Sequence, residues 1–121
     1  TKGGAAMRLL IFITKQVDCI NPILAEMLEK NISGATVVNC DGMLKAINES
    51  SEDPPPIFGS LRHFVNPGNE TVKMLMIVPR NEERLAMVRE IIHRHAASLD
   101  NPNTGILFEL PVYNVEGIPK K

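Results

Sequence analysis

The chain contains no tryptophan, one tyrosine and four phenylalanines in 121 residues. Recognition of nucleic acid by base stacking needs a platform of exposed rings, and too few are present. Charge of one sign is lacking too: 13 lysines and arginines face 14 aspartates and glutamates, for a formal net charge of −1. No global basic field is available to hold nucleic acid or an anionic membrane. Two cysteines, Cys19 and Cys40, do not make a disulfide framework, so a reduced, cytoplasmic protein is expected. No apolar run approaches membrane-spanning length, and direct membrane insertion is not expected. Residues 1–6 (TKGGAA) lack the apolar core of a signal peptide. They read as an expression remnant or a disordered lead before Met7. Neither GxGxxG nor a P-loop signature occurs.

What is present is ordinary globular usage, 44% hydrophobic and 22% charged, enough for one domain over residues 7–118 with a short tail at 119–121. One stretch stands apart. Residues 46–68 (AINESSEDPPPIFGSLRHFVNPG) have neither a helical nor a strand period. A segment of this length without periodicity, between regular elements, reads as a recognition loop on a rigid scaffold. Its apolar and basic residues Ile57, Phe58, Leu61, Arg62 and Phe64, with Val65, form the expected partner-contact surface.

The flanks carry regular patterns. Met7–Thr14 (MRLLIFIT) holds an unbroken apolar run of strand length. Asn21 followed by Pro22 predicts a helix start, with Asn21 as the cap. Leu24, Met27, Leu28 and Ile32 follow helical spacing, and Glu26 and Lys30 pair at i and i+4. The helix is expected to end near Asn31, before Gly34. Residues 35–40 are rich in β-formers and read as a second strand, which residues 43–47 are expected to prolong. Residues 71–78 (TVKMLMIV) form a third apolar strand ended by Pro79. Asn81 caps a second helix with Glu82 and Glu83 in its first turn. Leu85, Val88, Ile91 and Ile92 form its buried stripe, while Arg84, Arg89, Glu90 and Arg94 face water. Gly105–Val112 is the last strand, and Pro111 argues for an edge position.

The order is βαββαβ. With right-handed crossovers it gives an α+β, ferredoxin-like fold: a four-stranded antiparallel sheet, both helices on one face, and the long loop between strands two and three. The first and third strands are central. Each is apolar at both parities, so the side away from the helices is apolar as well. Packing that side against other copies of the chain removes it from water, and oligomerisation is expected.

No constellation indicates catalysis. His93 and His95, two residues apart on a helix, point in different directions and do not share a metal with His63. They read as a solvated basic helix end. Cys19 and Cys40 read as small hydrophobes. Asp18, Asp41 and Glu109 are scattered carboxylates without acid–base spacing. The residues alone point to a small oligomeric binding module, with no catalytic residue and no metal ligand assigned.

Three segments extend this reading. GATVVNCDG (34–42) is similar to GMTVTEVKG of the PII signalling family, the GlnB- and GlnK-like nitrogen regulatory proteins. VKMLMIVPRNEE (72–83) resembles that family's VKIEIVVPDD. NTGILFELPVYNVEGI (103–118) resembles its GDGKIFVLPVEEVVRI. The resemblance implies a ferredoxin-like homotrimer with adenine nucleotides in clefts between subunits. It also implies a long T-loop that contacts a regulated enzyme or membrane transporter. By position, Thr36 matches the family's threonine near the adenine, and Gly42 begins the T-loop base. Lys45 stands where a basic residue is frequent, and Gly105 matches a glycine of the phosphate-binding B-loop. The expected effector cleft therefore involves Thr36, Gly42, Leu44, Lys45, Asn101 and Gly105.

Departures from the family are equally specific. Its B-loop lysines correspond to Asn101 and Ile106, and its third-strand glutamate to Leu75. The loop has no tyrosine to be nucleotidylated; Ser50 and Ser51 are the modifiable residues there. A divergent PII-like sensor is expected, with weak or absent ATP binding. Two other classes share the fold: a metal-linked trimer of the divalent-cation-tolerance type, and a small enzyme such as an isomerase. A convergent His, Cys and carboxylate set would mark the first, and a paired acid and base in a deep pocket the second.

Overall fold

The structure is a computed structural model that describes residues 7–43, 46, 71–101 and 104–118. Strand β1 (Met7–Thr14) leads through a short 3-10 turn (Val17–Cys19) into helix α1 (Ile20–Glu29) and strand β2 (Thr36–Cys40). Strand β3 (Val72–Ile77), helix α2 (Glu82–His95) and strand β4 (Gly105–Val112) follow. The four strands form one antiparallel sheet in the order β2-β3-β1-β4. This is the expected ferredoxin-like arrangement, with β1 and β3 central and Pro111 on an edge strand.

Strand parity divides the sheet into two faces. Leu10, Phe12 and Thr14 of β1 are buried on the helix side. Phe12 lies opposite Leu75 on one neighbour and Leu107 on the other. Ile20, Ile23 and Met27 of α1 and Leu85, Val88, Ile91 and Ile92 of α2 complete this core. Each large side chain taken fully out of water there contributes about 1.5–3 kcal/mol. The opposite parity forms the other face: Ile11 stands beside Met76 and Phe108, and Ile13 beside Met74 and Ile106. No described element covers that side.

Helix α1 departs from expectation at its start and ends near Asn31 as expected. It begins at Ile20, and neither Asn21 nor any other side chain caps it. The preceding 3-10 turn takes the place of a cap, because the Ile20 N–H already donates to the Val17 carbonyl. Pro22 still falls in the first turn, where its missing N–H costs nothing. The buried stripe therefore shifts to Ile20, Ile23 and Met27, and Leu28 is left 68% exposed. At the other end, Asn31 adopts the left-handed conformation at φ 59°. Ile32 N–H donates to the Met27 carbonyl at 2.8 Å and Asn31 N–H to that of Leu28 at 3.0 Å. This pair of bonds is a Schellman stop, which asparagine tolerates better than most residues.

Helix α2 follows its pattern: the Asn81 carboxamide accepts the Arg84 N–H at 2.8 Å, and the predicted stripe is buried. Two arginines expected to face water do so and also reach acids on other elements. Arg89 meets Glu109 at 2.7 Å, and Arg94 pairs with Glu26 as well as with Glu90. Strand β2 is not prolonged beyond Cys40. The Ala46 N–H donates to the Gly42 carbonyl at 2.9 Å, a helical turn and not a ladder.

Candidate functional site

Two clefts lie at opposite ends of β2. The five residues of this strand, at about 3.3 Å rise each, separate its ends by roughly 13 Å. The first cleft, about 550 Å³, opens where the end of β3, the α1–β2 connection and residues 115–118 meet. Thr36 lines it with Ser33 and Gly34, over apolar side chains that include Leu9, Ile32 and Met76. Arg80, Arg84 and Glu116 are its charged lining residues. Arg84 Nη1 donates to the Asn31 carbonyl at 2.8 Å, which ties this arginine to the Schellman turn. Arg80 makes no hydrogen bond or ion pair with any described residue.

The second cleft, about 580 Å³, lies where β1 ends and β4 begins. Gly42 and Gly105 line it together, with Lys15, Asp41 and Ile106. Gly105 is fixed here by packing: a Cβ at this position would meet the Ile13 carbonyl oxygen at 2.4 Å. A polar knot holds the connection behind it. The Thr14 hydroxyl donates to the Thr104 carbonyl at 2.8 Å and accepts the Gln16 N–H at 2.8 Å. The Gln16 carboxamide donates to the Thr104 carbonyl at 3.3 Å and accepts the Ala97 N–H at 2.9 Å. Thr14 is buried, so these bonds satisfy groups that water does not reach.

The expected effector residues thus divide within one chain, Thr36 in the first cleft and Gly42 and Gly105 in the second. Asn101 is exposed in the turn before Thr104, whose hydroxyl donates to the Asn101 carbonyl at 3.0 Å. Ile106 is 56% exposed on the uncovered side of β4 and supplies no charge to the second cleft. Leu75 is fully buried on the helix side between Phe12 and Val37. A glutamate at that point would place an unpaired carboxylate in the core, which accounts for leucine. Leu44, Lys45, Ile57, Phe58, Leu61, Arg62, Phe64 and Val65 lie outside the described residues, as do His63, Ser50 and Ser51.

The remaining chemistry-bearing groups serve packing. The expected solvated histidine end is corrected in part: His93 is exposed, but His95 Nε2 lies 2.7 Å from Glu26 Oε1. Burial holds the Cys19 thiol above its ordinary pKa, so it stays protonated at neutral pH. Among the described residues no group of three His, Cys, Asp or Glu could hold a metal ion. No helix among them is long and apolar enough to cross a membrane.

Sequence reasoning did not single out Arg80, Arg84 or residues 115–118 as a site. The available signal was a basic residue immediately before a helix cap, in VPRNEE. The Thr14–Gln16 knot left no signal, since both residues are common at strand ends.

No family model matches the chain, and no curated protein matches it significantly. Solved structures do. A PII protein of Arabidopsis thaliana, crystallised with citrate bound, superposes with a TM-score of 0.58 at 17% identity, over 90% of this chain and 79% of that one. A functionally unknown protein from Pediococcus pentosaceus superposes with a TM-score of 0.58 at 19% identity, over 94% of this chain and 99% of that one. At these identities the likeness concerns the fold, which is PII-like.

Proposed function

We propose that this chain is a PII-like regulatory protein and not an enzyme. In this reading it is a homotrimer that takes a small effector between its subunits. It controls a partner enzyme or membrane transporter through the segment between β2 and β3. The observation that carries the reading is the uncovered apolar side of the sheet. Ile11, Ile13, Met74, Met76 and Phe108 stand side by side there, with Leu9 and Leu110 beyond them. Contiguous apolar surface of this kind marks association, because contact with water is unfavourable across all of it. Copies meeting through these faces build a second core.

The effector is an adenine-type ligand, since Thr36 stands where the resembled family approaches adenine, or a different small metabolite in the same cleft. The Thr36 cleft of one subunit and the Gly42–Gly105 cleft of its neighbour are the proposed halves of the site, with Leu44, Lys45 and Asn101 joining the second half. Ile57, Phe58, Leu61, Arg62 and Phe64 are the proposed partner contacts. The resemblance points to nitrogen regulation in the cytoplasm. Sedimentation velocity of the full chain at micromolar concentration tests the assembly. A species of three copies is expected, and a stable monomer overturns the reading.

A further inference from the structure

We propose that the cleft beside Thr36 takes an organic monoanion, with an apolar body against Leu9, Ile32 and Met76 and a single carboxylate held by Arg80. The proposal rests on the regulatory reading only in taking this cleft as an effector site.

The volume, about 550 Å³, is that of a small-molecule pocket. Its lining is largely apolar, with the charged groups gathered at the rim. Those groups are Arg80, Arg84 and Glu116, so the balance is two positive charges less one negative, or +1. The second cleft carries Lys15 and Asp41, one of each sign, and balances to zero. An anionic ligand end is therefore favoured at the first cleft over the second.

Arg80 is the group left to bind it. Glu82 and Glu83 follow within three residues, yet Arg80 engages neither them nor any other described residue. Its planar fork matches a carboxylate through two parallel N–H···O bonds. Arg84 cannot take that role with its whole fork, because Nη1 is committed to the Asn31 carbonyl at 2.8 Å. Arg84 supplies field, and Arg80 supplies the bonds. The α2 terminus adds little, since the Asn81 side chain already accepts the Arg84 N–H. Glu116 sets the charge limit: it opposes a second negative charge on the ligand, so a polyphosphate is disfavoured and a single carboxylate is accommodated.

The test is calorimetry on the full chain with octanoate, its neutral isostere octanamide, octyl phosphate and AMP. Amide shifts in residues 33–36 and 115–118 locate the binding. Octanoate is expected to bind about tenfold or more tighter than octanamide, the scale of one charge-assisted hydrogen bond. Arg80→Gln should erase that preference, Arg80→Lys should keep part of it, and Glu116→Gln should bring octyl phosphate level with octanoate. Arg80 is exposed, so an unchanged melting temperature certifies the variant. Equal affinity for octanoate and octanamide, no octanoate binding, or tighter octyl phosphate binding by the unaltered chain overturns the proposal. AMP binding without octanoate binding overturns it while leaving the effector-site reading intact. Octanoate binding by a monomer sustains it while the trimer reading fails.

Discussion

Glu26 on α1 lies 2.7 Å from His95 at the end of α2, and the same carboxylate takes the ammonium of Lys30 at 2.6 Å and the guanidinium of Arg94. Its side chain is only 13% exposed, so one largely buried acid ties the C-terminal ends of both helices. Glu26→Gln keeps the shape and removes the charge. The expected loss is about 1–2 kcal/mol, the scale of charge-assisted bonds reduced by solvent around Lys30 and Arg94. Urea unfolding measures it; an unchanged midpoint would show that the cluster is ornamental to stability.

Ile11 sits at the centre of the uncovered sheet side, between Met76 and Phe108. Ile11→Asp leaves the helix-side core untouched. In the proposed trimer it buries an unpaired carboxylate, at a cost of about 3–5 kcal/mol per interface. Light scattering should report dissociation with secondary structure retained. Assembly that survives the change would mean that copies meet elsewhere.

ATP should bind weakly or not at all. Asn101 and Ile106 stand where the resembled family carries two lysines, and each missing charge-assisted contact costs about 1.5–3 kcal/mol. Two such losses reduce affinity roughly a hundredfold or more. The double variant Asn101→Lys, Ile106→Lys should recover much of it in calorimetry. Tight, magnesium-dependent binding by the unaltered chain would falsify the argument from the lost lysines.

The Cys19 thiol, held up by burial, gives stability a pH dependence of known sign. A thiol ionises near pH 8.5 in an unfolded chain and higher here. Stability is therefore constant below that pH and falls above it, because the unfolded state releases the proton first. Iodoacetamide at pH 8 should alkylate partly exposed Cys40 well before Cys19. Equal rates would mean that the helix packing over Cys19 opens readily.

Removing residues 50–62 should leave the sheet and assembly intact while abolishing partner capture. Circular dichroism and sedimentation check the first half, and co-purification with the partner the second. A variant that no longer folds would show that the segment is structural.

The fold was legible because its signals were redundant. β1, β3 and β4 announce themselves by apolar runs, and α2 by a cap, an acidic first turn and a stripe that agree with one another. α1 was misjudged where one local signal, Asn21-Pro22, had to act alone and a 3-10 turn displaced it. The site was less legible. Thr36, Gly42 and Gly105 could be marked by resemblance, but their separation at two ends of one strand depends on sheet register. Arg80 gives no local sign of the cleft beside it, which is lined by residues far apart in sequence, 31–36 and 115–118. Glu26, likewise, shows its Lys30 partner in the sequence and hides the two on α2.

Among the described strands β2 pairs only with β3, and the described helices leave even its inward side uncovered, Val37 being 36% exposed opposite fully buried Leu75. In mechanical terms it is a hinge leaf fastened along one edge. Five residues of ladder, with little apolar packing to reinforce them, set a low free energy for local opening. β2 amides should therefore exchange with solvent far sooner than those of β1, at rates unrelated to global unfolding. This ladder is thereby the part of the sheet expected to open first, ahead of central β1 and β3.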